Sequence, residues 1–277
     1  AKNMVEAGLT VVGYDVAAPA RANLARLGGH PKGSNAEVAA AADVLITSMP
    51  HAEALAQVVG DLEAAPRRKR VLAETSTLPL EDKQAAHDRL AAVGITMLDC
   101  PLSGSSNRAM IRDVLVYASG EKWAYERCLP AFSGFSRAPH YLGAFGNGSK
   151  MKYIANLLVA IHTAAAGEAF AMARKCGLDP AQTYDVIMDG AGGSRAMEAR
   201  KEMLIANQYL PVRTAPMDLF RKDLKVIGAF ANAIDCPVPM FTATLPLYTA
   251  ALARGLGAED TAAISRLLQD MAGLETT

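Results

Sequence analysis

The chain has 277 residues, 51% apolar and 20% charged, which is material for more than one hydrophobic core and excludes a disordered or collagen-like chain. Lysine plus arginine and aspartate plus glutamate number 28 each, so there is no basic surplus for nucleic acid or an anionic membrane. Cys100, Cys128, Cys176 and Cys236 are too scattered for a metal knuckle or redox pair, and the histidines show no ligand spacing; a reducing, cytoplasmic setting and no metal are expected.

In chain order, Ala1 to Gly8 reads as the second half of a helix closed by a glycine cap, and the expectation is that something lies upstream of it. From Leu9 to about Leu142, β-branched runs alternate with alanine-rich helical patterns, as in a parallel sheet covered by helices on both faces. Strands are expected at Leu9–Tyr14, Asp43–Met49, Arg70–Glu74, Ile95–Leu98, Val114–Ala118 and about His140–Leu142. Helices are expected near Pro19–Leu27, Ala36–Ala41, Ala52–Val59, Pro79–Ala92 and Lys122–Phe132.

After Gly143–Gly148 the pattern is helical only. One helix runs from about Ser149 to Cys176, and others follow at Pro180–Met188, Ser194–Asn207, Met217–Ala233, Pro239–Ala253 and Ala258–Met271. The fold class is therefore α/β, a doubly wound domain over 1–145, then an all-helical domain over 146–277 that opens with a long interdomain helix. Tyr153 to Ala173 is long enough to span a bilayer, but it carries Asn156, His162 and Glu168 and is alanine-rich, so a buried helix is expected.

Several residues could carry chemistry. Asp15 ends the first strand, where a dinucleotide fold places an acid on the adenosine ribose; the other reading is an Asp opening the turn to Pro19. Gly143–Lys152 has the order of a phosphate loop inverted, so Gly146 and Gly148 are read as a tight turn into the long helix. Lys152 and Asn156 project from one face of that helix and could hold a substrate hydroxyl, although a lysine there could also snorkel to solvent. Asp99 to Ser106 offers hydroxyls and backbone N–H groups at the carboxyl edge of the sheet, where a carboxylate could bind. Thr77 could be a helix cap, and Lys222 alone would read as part of a solvated face.

Taken together, the order of these motifs resembles the β-hydroxyacid dehydrogenase family, which is related to 6-phosphogluconate dehydrogenase. Asp99-Cys100-Pro101-Leu102-Ser103-Gly104 is similar to its Asp-x-Pro-x-Ser-Gly substrate motif. Gly146, Gly148, Lys152 and Asn156 match its catalytic motif, Lys222-Asp223-Leu224 its Lys-Asp-Leu, and Ser48-Met49-Pro50 and Ser76-Thr77-Leu78-Pro79 its cofactor loops. The resemblance implies a Rossmann-type sheet whose first strand and glycine loop are missing, then a 6-phosphogluconate-dehydrogenase-like helical domain.

It also implies NAD, with NADP possible, held by Asp15, Met49, Pro50, Thr77 and Lys222. Lys152 is then the general acid/base with Asn156 as partner. Ser103, Gly104 and Ser105 bind the carboxylate of a small β-hydroxyacid, and the protein pairs as a homodimer or homotetramer. Ser105 replaces a frequent second glycine, Arg108 either meets the substrate acid or faces solvent, and Ala155 replaces the histidine of phosphogluconate enzymes. The alternatives are an imine-reductase-like relative and a non-catalytic nucleotide-binding relative.

Overall fold

The computed structural model describes residues 1–212 and 214–274, with Ser106 described by its backbone alone. Two compact units follow one another, Ala1–Lys152 and Tyr153–Thr277.

In the first unit α1 (Lys2–Glu6), β1 (Val12–Gly13), α2 (Ala18–Arg26), β2 (His30–Pro31), α3 (Asn35–Ala41) and β3 (Val44–Thr47) lead to α4 (Ala52–Glu63), β4 (Arg70–Glu74), α5 (Leu80–Ala91) and β5 (Ile95–Asp99). Then come β6 (Leu102–Ser103), α6 (Ser106–Met110), β7 (Leu115–Ala118), α7 (Lys122–Phe135), β8 (Ala138–Tyr141) and the start of α8 (Asn147–Lys175). The alternation is the expected one. The first strand is shorter than expected, and β2 and β6, two residues each, are too short to show any alternation.

β3, β4 and β5 pair in parallel, Val44 opposite Val71 and Val71 opposite Thr96. Successive side chains of β4 enter opposite cores. Leu72 packs with Leu55, Val59 and Leu90 of α4 and α5, while Val71 and Ala73 pack with Cys128 and Phe132 of α7. That is why the whole of β4 is buried, and it is the doubly wound arrangement.

β1 pairs in parallel with β2 through bonds from His30 and Lys32 N–H to the Val11 and Gly13 carbonyls, so the backbone groups of Val12 face the opposite edge. In β3 the Asp43 and Thr47 carbonyls accept from Val71 and Thr75, which turns the groups of Val44 and Ile46 away from β4. Among the described residues no strand pairs with either of these edges. Both border a cavity of about 940 Å³ that is also lined by Leu9, Leu24, Val38 and Leu62. Asp15, Thr47 and Met49 line it as well, so the carboxyl ends of β1 and β3 open into this cavity.

The second unit continues α8 and adds α9 (Pro180–Asp189), α10 (Arg195–Glu198), α11 (Lys201–Ala206), α12 (Met217–Ala233), α13 (Pro239–Ala253) and α14 (Ile264–Met271). The helix expected over Ser194–Asn207 is broken at Arg200. This residue leaves helical geometry at φ −116° and ψ 9°, and its buried guanidinium donates to Ala196 O and Thr261 Oγ1. The helix expected from Ala258 becomes α-helical only at Ile264, after the 3-10 turn Thr261–Ala263, which buried Asp260 caps by accepting from Ala262 N–H while it also accepts from Thr214 N–H.

Tyr153, Ala160 and Ala164 of α8 pack with Phe220, Leu224 and Ile227 of α12 and with Phe241 and Tyr248 of α13. Length and composition alone would let α8 cross a membrane, yet this face lies in the core, as the alanine-rich pattern predicts.

Candidate active site

The start of α8 is built directly onto the sheet. Gly146 has φ +89°, a conformation that favours glycine, and a Cβ on Gly148 would lie 2.2 Å from the Tyr117 carbonyl oxygen and 2.7 Å from that of Asp99. The backbone can approach so closely only because neither residue has a side chain. Gly148 N–H then donates to Ser119 Oγ at 2.9 Å, and Ser149 gives its N–H to Asp99 Oδ2 and its hydroxyl to Asp99 Oδ1, both at 2.7 Å. The tight-turn reading of these glycines is what the structure shows.

Lys152 follows on this first stretch of helix and is half-buried. One turn later Asn156 is buried, and its Nδ2 donates to Asp223 Oδ2 at 2.8 Å. An ionised carboxylate can only accept, so Asp223 fixes which way the amide points and leaves the carbonyl oxygen of Asn156 for another donor. Lys222 Nζ lies 3.7 Å from Asp223 Oδ1, so Asn156, Asp223 and Lys222 form one group in the second unit. Asp223 stands in the expected Lys-Asp-Leu motif, but nothing in the sequence shows that it holds Asn156.

In the first unit Ser103 ends β6 and Gly104 follows at φ +140°, where a Cβ would meet Val114 at 2.7 Å. Ser105 caps α6, its hydroxyl accepting from Arg108 N–H at 3.4 Å. The Ser106 side chain lies outside the described residues. Arg108 pairs with Asp113, and its hydrogen bond holds that carboxyl below the usual range. Arg108 is therefore engaged within its own unit.

Met49 and Pro50 leave β3 and Thr77 leaves β4, at the carboxyl ends of parallel strands. The N-cap of α5 is Pro79, so Thr77 does not cap that helix. Asp15 stands exposed beyond β1, and its Oδ1 accepts from Ala17 N–H at 2.8 Å, so it does open the turn. Among the described residues its other carboxylate oxygen has no hydrogen-bond donor.

Buried charge is the feature that the sequence reading missed. Lys83 and the side chains of Glu74 and Asp99 are fully buried, with Lys83 Nζ 2.7 Å from Glu74 Oε2 and 2.8 Å from Asp99 Oδ1. Burial by itself lowers the pKa of Lys83, but the two carboxylates outweigh it and raise the value above that of an ordinary lysine. A signal was available. Lys83 shares the stripe of α5 that buries Ala86 and Leu90, a position where a solvated lysine does not belong.

The carboxyl edge suits a nicotinamide dinucleotide at its two ends: an acid stands beyond β1, loops leave β3 and β4, and the buried Thr47 hydroxyl at the end of β3 has no hydrogen-bond partner among the described residues. A Gly-x-Gly-x-x-Gly pyrophosphate loop is not in the sequence.

Comparison with known proteins gives the same picture. Residues 1–143 match the NAD-binding domain of 6-phosphogluconate dehydrogenase, and residues 146–268 match the family described as NAD-binding of NADP-dependent 3-hydroxyisobutyrate dehydrogenase. L-threonate dehydrogenase of Cupriavidus necator is 31% identical over 96% of this chain and 91% of its own length. For 2-(hydroxymethyl)glutarate dehydrogenase of Eubacterium barkeri the values are 28%, 99% and 92%. The crystal structure of 3-hydroxyisobutyrate dehydrogenase from Salmonella typhimurium superposes with a TM-score of 0.86 at 31% identity, covering 96% of this chain and 94% of that one. The chain belongs to the β-hydroxyacid dehydrogenase family, NAD(P)-dependent oxidoreductases that act on small hydroxyacids.

Proposed function

We propose that the chain oxidises a small β-hydroxyacid, or reduces the matching carbonyl acid, with Lys152 as the general acid/base. The observation that carries this reading is the Asn156 amide, held in one orientation by Asp223, one helical turn from Lys152. When bound, the nicotinamide cofactor supplies the hydride acceptor. As the carbinol C–H bond breaks, neutral Lys152 takes the hydroxyl proton on Nζ; in reduction its ammonium returns that proton to the forming alkoxide. Asn156 orients the reacting oxygen. The substrate carboxylate is received by the Ser103 and Ser105 hydroxyls and the Gly104 backbone, Ser105 keeping its O–H free to donate while its oxygen caps α6.

On the cofactor side the proposal gives Asp15 the ribose hydroxyls, Met49, Pro50 and Thr77 the loop contacts, and Lys222 the nicotinamide end. Asp15 opposes a 2′-phosphate, so NAD is favoured over NADP. Relatives acting on threonate, hydroxymethylglutarate and hydroxyisobutyrate define the substrate class to be searched. The four cysteines are all free, which supports a cytoplasmic setting. Ile154 and Leu158, 54% and 46% exposed at a spacing of one helical turn, support pairing of copies, whereas Leu157, Val159 and Ile161 pack against the chain's own core.

The test is nicotinamide absorbance with NAD and with NADP against threonate, glycerate, 3-hydroxyisobutyrate and 2-(hydroxymethyl)glutarate. Turnover of one acid, faster with NAD, supports the reading. Silence across the acids together with turnover of cyclic imines would move the assignment to an imine reductase.

A further inference from the structure

The buried ion cluster does not end at its three charges. On one side, Glu74 Oε1 accepts from Ser76 N–H at 2.9 Å, and Ser76 Oγ accepts from Met49 N–H at 2.5 Å. On the other side, Asp99 holds Ser149 by backbone and hydroxyl, and Ser119 bridges from Asp99 to Gly148 N–H. Glu74, Ser76, Lys83, Asp99, Ser119 and Ser149 are all buried, none more than 6% exposed. One continuous chain of polar contacts therefore runs from the Met49 loop, through Lys83, to the first turn of the helix that carries Lys152.

The electrostatics explain why such a costly cluster is tolerated. Two carboxylates against one ammonium leave an excess negative charge, and the Asp99 carboxylate accepts from the Ser149 N–H in the first turn of α8. A helix N-terminus carries a partial positive charge and unpaired donors, so it supplies the missing balance. Each partner is needed by the next, because removing one member of a buried cluster leaves an uncompensated charge.

We infer that Lys83 is a positioning residue, which sets the cofactor loop at Met49 and Ser76 and the Lys152 helix in one fixed geometry. The inference rests on the dehydrogenase reading for its kinetic consequences, but not for its structural ones. Lys83 itself touches neither reactant. It acts through Glu74 and Ser76 at one end and through Asp99 and Ser149 at the other, so the two ends can be cut separately.

The experiment uses three variants of the whole chain, each checked for folding by circular dichroism. Ser76→Ala removes the acceptor of Met49 N–H and is expected to raise the KM for cofactor several-fold, with kcat at saturating cofactor within twofold of wild type. Ser149→Ala cuts the hydroxyl bond to Asp99 and is expected to lower kcat several-fold with the cofactor KM unchanged. Lys83→Met is expected to move both, by about tenfold or more in kcat, since small displacements of catalytic groups are costly. A purely structural lysine would lower stability without this division between kcat and KM.

Folded Lys83→Met protein with both parameters within twofold of wild type, or Ser76→Ala and Ser149→Ala both moving the same parameter, would overturn the inference. If wild type itself turned over no hydroxyacid, the dehydrogenase reading would be what had failed. Amide exchange then decides: Lys83→Met should expose the amides of Met49 and Ser149 together, and continued protection of both would contradict the coupling.

Discussion

Gly148→Ala is the substitution whose effect can be worked most directly from the structure. The added methyl would meet two backbone carbonyl oxygens, of Tyr117 at 2.2 Å and of Asp99 at 2.7 Å, and neither can move as a side chain would. The start of α8 must back away by about 1 Å, at an overpacking cost of roughly 1–3 kcal/mol. That retreat also stretches the Ser149 N–H bond to the Asp99 carboxylate, and a hydrogen bond to a charged group is worth about 1.5–3 kcal/mol. Together these predict a thermal midpoint lower by on the order of 10 °C for the first unit. Lys152 lies one turn further along the same helix, so turnover should fall about 100-fold. Calorimetry and steady-state rates on the purified variant test both numbers. A midpoint within about 2 °C of wild type with turnover retained would show that the helix is not held to the sheet in this way.

Three further outcomes are expected. Asn156→Ala should lower kcat about 10- to 100-fold, and Asp223→Asn, which keeps the volume but not the acceptor-only carboxylate, should lose part of the same rate; unchanged rates in both would remove the pair from the mechanism. A thiol reagent at pH 8 should label Cys176 and Cys236 quickly and leave the buried pair slow, because burial, with Asp99 adding to it, pushes the Cys100 thiol well up, and burial pushes Cys128 up to about 12. Rapid reaction of all four would contradict the packing. Lys83 has a folded pKa above its ordinary 10.5, so its contribution to stability is fully present below that value and is lost as pH rises through the folded pKa. Alkaline unfolding should therefore lose a proton-linked component in Lys83→Met, and an identical alkaline profile would mean that the lysine is not charged in the fold.

The alternation of strands and helices, and the change to helices alone after Gly148, were legible because period and composition carry them. β2 and β6 were not, since two residues cannot display a period. The break at Arg200 was hidden for a different reason: it depends on Thr261 and Asp260, about sixty positions away, and local propensity cannot see a partner at that distance.

The candidate site divides in the same way. Lys152, Asn156 and the Ser103-Gly104 loop stand out by motif and spacing. The carboxylate that orients Asn156 and the cluster that anchors Ser149 depend on contacts 67 and 50 residues apart, which only the fold reveals. Lys83 is the instructive case. It reads as one more charge on a helix until its neighbours on the stripe, Ala86 and Leu90, are seen to be buried.

The most direct test of the account is Lys152→Ala, assayed with the hydroxyacid that wild type turns over best and with cofactor binding followed separately by nicotinamide fluorescence. Loss of the proton acceptor should lower kcat by about 10²- to 10⁴-fold while cofactor affinity stays within a few-fold of wild type. A variant that kept most of its turnover would show that Lys152 does not carry the proton and that the assignment of this site is wrong.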